Sequence, residues 1–277
     1  MKPLLINCRG KLLDISSPVV MGILNSTPDS FYDGGKFNEE SDRKARVEKM
    51  LSDGAAIIDI GAVSSRPGAA DVSEKAEWER LIPVLLMMQK YFPDAIVSVD
   101  TFRATIAKQA MEEGASVIND ITAGKDPEML KTVAAYHAPY IMMHMQGNPE
   151  TMQKNPQYED VTKEVMQFFV DRVMDARSAG INDIIIDPGF GFGKNADHNF
   201  SLLKHLGLFK VIGPVMAGLS RKSVINKTLQ IKAAEALNGT TVLNTIALMN
   251  GACILRVHDV KEAVECVKLV IAYKASI

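Results

Sequence analysis

Asp100, Asn119 and Asp187 each stand at or beside the end of an apolar run: "AIVSVDT", "SVINDI" and "DIIIDPG". Two carboxylates and an amide make an acceptor-rich set with one switchable group. Such a set suits a flat heterocycle with several N–H donors, a 2-aminopyrimidine edge for example. A carboxylate can accept two parallel N–H bonds from that edge, as it does from guanidinium. Two aspartates could also hold Mg²⁺, but a metal serving an organic diphosphate is expected nearer Asn25 and the phosphates.

A second set is cationic: Arg66, Lys222, Arg256 and His258, with Asn25 as a neutral oxygen ligand or donor. The fork of arginine suits phosphate oxygens. Arg256 alone is explained as well by a salt bridge to a neighbouring aspartate. His258 follows two residues on, so in a strand both side chains face the same way. The pair therefore favours an anion, a phosphate or diphosphate.

The stretch "GFGFGK" (189–194) suggests a phosphate loop but fails as one. Pro188 stands where the first glycine of a P-loop belongs, and Asn195 follows Lys194 instead of Ser or Thr. No GxGxxG fits either. The glycines are expected to allow a sharp turn or a close backbone approach. Phe190 is read as core, and Phe192 as an available ring face.

The elements that must position these residues recur with regular spacing. Eight nearly continuous apolar runs cover 19–25, 56–62, 95–101, 116–121, 140–145, 183–189, 214–220 and 252–258. Strands buried on both faces read this way. Helical patterns lie between them, over 39–54, 72–91, 103–114, 126–137, 158–180 and 260–275. Ser73 and Asp126 are the expected N-caps, Gly54, Gly114 and Gly180 the stops, and Pro83 a candidate kink. Eight alternations predict an α/β fold, a (β/α)₈ TIM barrel, in preference to an open doubly wound sheet. Arg9-Gly10 predicts an N-terminal β-hairpin closing the lower end.

In such a barrel, chemistry sits at the C-terminal ends of the strands. Polar residues do gather there: Asn25, Asp59 leading to Ser64-Ser65-Arg66, Asp100, Asn119-Asp120, His144, Asp187, Ser220-Arg221-Lys222, and Arg256 with His258. Turn or cap formation could explain Asp120 and Ser220. It does not explain a ring with arginines, a lysine and a histidine.

The 277 residues suit one domain over 1–277. The net charge of −2 gives no basic field, so neither nucleic acid nor a membrane surface is expected as partner. Cys8, Cys253 and Cys266 lack zinc spacing, and their odd number argues against a disulfide framework. Reduced thiols in a cytoplasmic protein are expected. The start, "MKPLLINCRGKLLDIS", has no signal-peptide pattern, and no apolar run reaches membrane-span length.

The motifs "MGILNSTPDSFYDGG" (21–35), "DIGAVSSRPGA" (59–69), "SVDT" (98–101), "VINDITAG" (117–124), "DIIIDPGFGFGK" (183–194), "GLSRKS" (218–223) and "RVHDV" (256–260) together resemble the dihydropteroate synthase family. They occur in order over nearly the whole chain. The resemblance implies a folate-pathway enzyme on a TIM barrel. It would join 6-hydroxymethyl-7,8-dihydropterin diphosphate to p-aminobenzoate and release diphosphate, with Mg²⁺. It implies that Asp100, Asn119, Asp187 and Lys222 bind the pterin, and that Asn25, Arg256 and His258 serve the diphosphate and metal. Ser65, Arg66 and Pro67 would close over diphosphate and p-aminobenzoate, with Phe192 and Ser223 lining the latter's pocket. It also implies a homodimer and a sulfonamide target. Catalysis is thereby expected of Asp100, Asp187, Lys222, Arg256 and His258.

The chain departs from the family at one place. Ala62-Val63-Ser64-Ser65 stands where Gly-Glu-Ser-Thr is common, so a loop carboxylate is missing. Among rivals, a pterin-dependent methyltransferase would need no diphosphate site. A silent pterin-binding protein finds its only opening in the altered loop. A non-enzymatic interaction protein leaves the polar ring unexplained.

Overall fold

The computed structural model describes residues 4–26, 39–63, 72–147, 152 and 155–276. A hairpin comes first. β1 (Leu5–Cys8) pairs antiparallel with β2 (Lys11–Asp14), and Cys8 faces Lys11 across the two-residue loop. Arg9 and Gly10 both take positive φ, 54° and 90°. That is the turn whose twist matches the flanking strands.

Eight parallel strands follow: β3 (Val19–Asn25), β4 (Ile57–Gly61), β5 (Ile96–Asp100), β6 (Val117–Asp120), β7 (Tyr140–Met143), β8 (Ile184–Asp187), β9 (Met216–Ala217) and β10 (Ile254–Val257). The sheet runs β8-β7-β6-β5-β4-β3-β10-β9. A parallel bridge from Ile186 to Val215 joins its two ends, so the sheet closes into the expected barrel. An open doubly wound sheet would leave those ends apart.

Helices stand between and after the strands: α1 (Glu39–Ser52), α2 (Glu74–Tyr91), α3 (Ala104–Glu112), α4 (Met129–Ala135), α5 (Val161–Ser178), α6 (Ala196–Lys204), α7 (Ser223–Leu229), α8 (Leu237–Met249) and α9 (Val260–Ala275). Ser73 caps α2 by accepting the Ala76 N–H at 3.3 Å, and α2 continues through Pro83. Asp126 is not the N-cap of α4, which starts three residues later. Its carboxylate accepts the Glu128 N–H and also the Ala104 N–H at 2.8 Å, so it ties the start of α3 to the following loop.

Side-chain parity divides each strand. Outward residues such as Ile58, Ile60, Val97, Val99, Tyr140 and Leu255 pack under the helices in one large core. Inward residues of the lower barrel, Met21, Ile57, Val117, Ile141, Ile185, Met216 and Ile254, form a separate cluster with Ile6, Cys8 and Ile15 of the hairpin region. Each large aliphatic side chain buried this way contributes about 1.5–3 kcal/mol. Lys11 fastens the plug by donating to the Pro93 and Ala95 carbonyls, and the Asn7 N–H donates to Asp183. The barrel is thus sealed below, and its polar inward positions lie at the other end.

Candidate active site

Above the apolar plug the same parity turns polar. In β4, Ile57, Asp59 and Gly61 share the inward side, and register sets Asp59 beside Ser98 and Gly61 beside Asp100. Asp100 in turn neighbours Asn119. Arg256, two residues beyond inward Ile254, enters from β10.

Arg256 is the hub. Its Nε donates to Asp59 Oδ2 at 2.7 Å, and its Nη2 lies 2.6 Å from the same oxygen and 2.7 Å from Asp100 Oδ2. Asn119 Nδ2 donates to Asp59 Oδ2 at 3.2 Å. The aspartate partner weighed for Arg256 is therefore real, and Arg256 of the cationic set is bonded to Asp100 and, through Asp59, linked to Asn119 of the acceptor-rich set. Nη1 of Arg256 makes no bond among the described residues.

Asp59, a member of the expected ring with no role assigned to it, is the shared partner of Arg256 and Asn119. It is fully buried inside a run of isoleucines, two positions before the strand stops. A lone carboxylate in such a run must find a cation, and its even spacing from Gly61 marks it as inward. Its Oδ1 and the Ser98 hydroxyl beside it have no hydrogen-bond partner among the described residues.

Asp187 closes β8, buried, with Oδ1 accepting the Gly189 N–H at 2.8 Å. Its Oδ2 and Lys222 Nζ face the bare α-carbon of Gly218. A β-carbon there would lie 3.7 Å from the one and 3.8 Å from the other. Lys222 caps α7, donates to the Phe190 carbonyl and holds its ammonium 4.6 Å over the Phe192 ring. Phe192 also joins an apolar wall with Ile121, Met143, Met145, Met152 and Phe102. Phe190 is fully buried core, as expected. Ser223, the first residue of α7, is exposed beside Lys222.

His258 follows Arg256 on the same side. Its Nδ1 lies 3.0 Å from the Ser220 hydroxyl, which also accepts the His258 N–H. Asn25 ends β3, and its amide makes no side-chain bond among the described residues. Gly61 leaves a gap beside it, since a β-carbon there would lie 3.8 Å from both Asn25 Oδ1 and Asp100 Oδ2.

The electrostatics follow from burial. Burial pushes Asp100 up to about 7 against the pull of Arg256, helped by the nearby carboxylate of Asp59. Burial raises Asp187 too, opposed chiefly by Lys222. Burial brings Lys222 down to about 8, with Asp187 resisting. It lowers His258 to about 4, aided by Arg256, so that imidazole is neutral at pH 7. The result is a recess with one permanent cation, one depressed amine and acceptors that tolerate a proton.

Three members of the expected ring point elsewhere. The side chain of His144 lies outside the barrel, against Phe168, with Lys194 Nζ 2.9 Å from its Nδ1. Arg221 takes φ of 53° and reaches away to Asp259 through two 2.8 Å bonds. Asp120 accepts from Thr122, Gly124 and the Tyr140 hydroxyl and organises its own turn. Two glycines of "GFGFGK" allow a close approach of backbone, while Gly191 faces the Lys222 side chain. At Gly189 (φ 69°) a β-carbon would lie 1.9 Å from the His144 carbonyl oxygen, and at Gly193 (φ 62°) 2.6 Å from that of Gln146.

Ser65, Arg66 and Pro67 lie outside the described residues. Of the altered loop, Ala62 and Val63 are described, and Ala62 is buried. It packs in the helix-side core, and its carbonyl accepts from Arg80 at 3.0 Å.

Comparison with known proteins adds four likenesses. Residues 21–258 match the family described as "Pterin binding enzyme". The dihydropteroate synthase of Escherichia coli K12 is 45% identical over 265 residues, 95% of this chain and 94% of that one. The Yersinia pestis dihydropteroate synthase solved with a sulfonamide drug complex superposes with a TM-score of 0.93 at 42% identity, covering 99% of this chain and 100% of that one. The Xanthomonas albilineans dihydropteroate synthase with 4-aminobenzoic acid gives 0.93 at 38% identity, covering all of both chains.

Proposed function

The chain belongs to the dihydropteroate synthase family of pterin-binding enzymes, and on that premise we infer that it is a transferase of folate biosynthesis. It joins 6-hydroxymethyl-7,8-dihydropterin diphosphate to p-aminobenzoate, giving 7,8-dihydropteroate and diphosphate. The observation that carries this is the network in which Arg256 ties Asp59 and Asp100 together beside Asn119. Acceptors for a pterin edge and a cation for a diphosphate meet there at the open end of the barrel.

An arylamine is a weak nucleophile, so departure of diphosphate must do much of the work. The exocyclic C–O bond breaks with its electron pair leaving on diphosphate. The amine nitrogen then bonds to the methylene carbon and loses its proton to solvent. Arg256, through Nη1, which has no partner among the described residues, and His258 stabilise the departing anion, and Arg66 is assigned to the same task. Lys222 holds the pterin over Gly218 with Asp187. Asp100 and Asp187 favour the cationic pterin methylene, while Asn119 holds the ring edge. Phe192 and Ser223 line the p-aminobenzoate position, and Ser65 and Pro67 are assigned to the same substrate.

Mg²⁺ fits this donor set. The ion takes one or two protein oxygens and completes its shell with water and phosphate. Asn25 offers one neutral oxygen beside the gap at Gly61. Among the described residues no cluster of three His, Cys, Asp or Glu side chains forms a protein cage for a metal. Bound at Asn25, Mg²⁺ would supply charge neutralisation to the diphosphate oxygens.

We assign one domain to 1–277 and a homodimer to the assembly. On α8, Val242, Ile246 and Met249 are exposed at helical spacing, and on the adjoining α9 so are Leu269 and Tyr273. Exposed apolar residues on two neighbouring helices suit an isologous contact. A cytoplasmic setting agrees with three free cysteines. Among the described residues no helix is long and apolar enough to cross a membrane. Sulfonamides, as p-aminobenzoate mimics, are expected inhibitors.

The test is diphosphate release by purified protein with dihydropterin diphosphate, Mg²⁺ and p-aminobenzoate, each omitted in turn. Release that requires p-aminobenzoate is the expected result. Binding of dihydropterin diphosphate without release would instead indicate a silent binding protein.

A further inference from the structure

Asp59 is paired with the permanently charged guanidinium of Arg256 and is an acceptor only. The Asn119 atom 3.2 Å from Asp59 Oδ2 must therefore be the amide nitrogen. A flipped amide would set its oxygen against a carboxylate oxygen with no proton between them. Neither partner can turn to water, because Asp59 is 0% and Asn119 3% exposed. The amide carbonyl is thus the end left for the recess.

We propose that Asp59 is a positioning residue: it fixes the Asn119 amide with oxygen toward the ligand and so makes the site select a ring that brings an N–H donor to that edge. Resting on the pterin reading above, this means a 2-amino ring is favoured over its 2-oxo counterpart. The linkage is tight because Asp59 holds both partners through one oxygen. Oδ2 takes Arg256 Nε at 2.7 Å and Asn119 Nδ2. Oδ1 has no partner among the described residues.

The test measures binding of 6-hydroxymethylpterin and of its 2-oxo analogue to the full chain by titration calorimetry. Wild type, Asp59→Asn and Asp59→Ala are compared. Wild type is expected to prefer the 2-amino ring. In Asp59→Asn the donors of Arg256 hold the amide oxygen where Oδ2 stood, so it still accepts the Asn119 N–H and the preference should persist. Asp59→Ala removes that acceptor, frees the amide to turn and should shrink the preference about tenfold or more, the scale on which a buried hydrogen-bonding site rejects a mismatched ligand. An unchanged ratio in Asp59→Ala, or a lost one in Asp59→Asn, overturns the proposal.

A wild-type readout covers the case in which the variants do not fold. The Asn119 side-chain N–H protons, followed by NMR without ligand, are expected to resist solvent exchange, and free exchange would overturn the proposal. Should wild type bind neither ring, the pterin reading fails, while the exchange measurement still judges the amide.

Discussion

Arg256 Nη2 lies 2.7 Å from Asp100 Oδ2, joining strands that are three places apart around the barrel. The residue assigned to the leaving anion is thus held by the carboxylate assigned to the heterocycle. Because Nε and Nη2 are both used inside the protein, only a planar fork serves this position. Arg256→Lys keeps the charge but cannot span Asp59 and Asp100 while reaching outward. We expect kcat/KM to fall by about 10²–10³, measured by steady-state diphosphate release. A loss under tenfold would reject the hub role.

Asp187→Asn should separate chemistry from folding. The new amide oxygen can still accept the Gly189 N–H, so the turn survives. The negative charge beside the pterin methylene does not. Turnover is expected to drop about 100-fold or more with an unchanged circular dichroism spectrum, and near wild-type turnover would remove Asp187 from the mechanism.

Gly218 needs its missing side chain for space, since its φ is not positive. Gly218→Ala places one methyl in ordinary contact with Asp187 and Lys222 and should bind pterin with modest loss. Gly218→Leu extends into the recess. Calorimetry should find pterin binding weakened by about 100-fold or more while the melting transition persists. Wild-type affinity in the leucine variant would place the pterin elsewhere.

Lys194 gives a pH signature. Buried among the His144, Gly189 and Phe192 carbonyls and the His144 ring, it is lowered to about 7, chiefly by burial. Between that value and its unfolded value of about 10.4, the unfolded chain holds a proton the folded chain lacks. Its contribution to stability is therefore full above about 10.4 and lost as pH falls through 7. Wild type should gain stability relative to Lys194→Met over that window, at up to about 1.4 kcal/mol per pH unit. Denaturant titrations at pH 7, 8 and 9 measure it. Parallel curves would mean the amine keeps an ordinary affinity for protons.

Ile246→Arg puts charge in the middle of the apolar stripe on α8. Sedimentation should show a dimer for wild type and a monomer for the variant, since one unpaired charge desolvated at an interface costs about 2–5 kcal/mol. An unchanged dimer would move the contact to another face.

Much of this was legible from alternation alone. Arg256 and His258 share a side because strands have period two, and Asp100 and Asp187 do close their strands, with Asn119 one residue before the end of its own. What misled was parity where no polar residue marks it. "YIMMHM" is apolar on both faces, so nothing in it tells that Met143 looks inward and His144 outward. Arg221 was read with its neighbours, yet its left-handed backbone turns it to Asp259. Asp59 belongs to the polar ring, but nothing in the sequence marks it as the partner of Arg256, because it lies two positions before the end of β4. A strand one layer deeper in a tilted barrel offers its functional group before its end.

The contact between Arg256 and Asp59 spans 197 residues of chain, and β10 must lie against β3 for it to form. During synthesis, Asp59 leaves the ribosome long before its partner exists. The earliest strands must then wait, edges unpaired and one carboxylate uncompensated, for nearly the last segment to arrive. Activity should therefore not appear in a nascent chain before β10 has been made, and loss of β10 and α9 should erase it altogether.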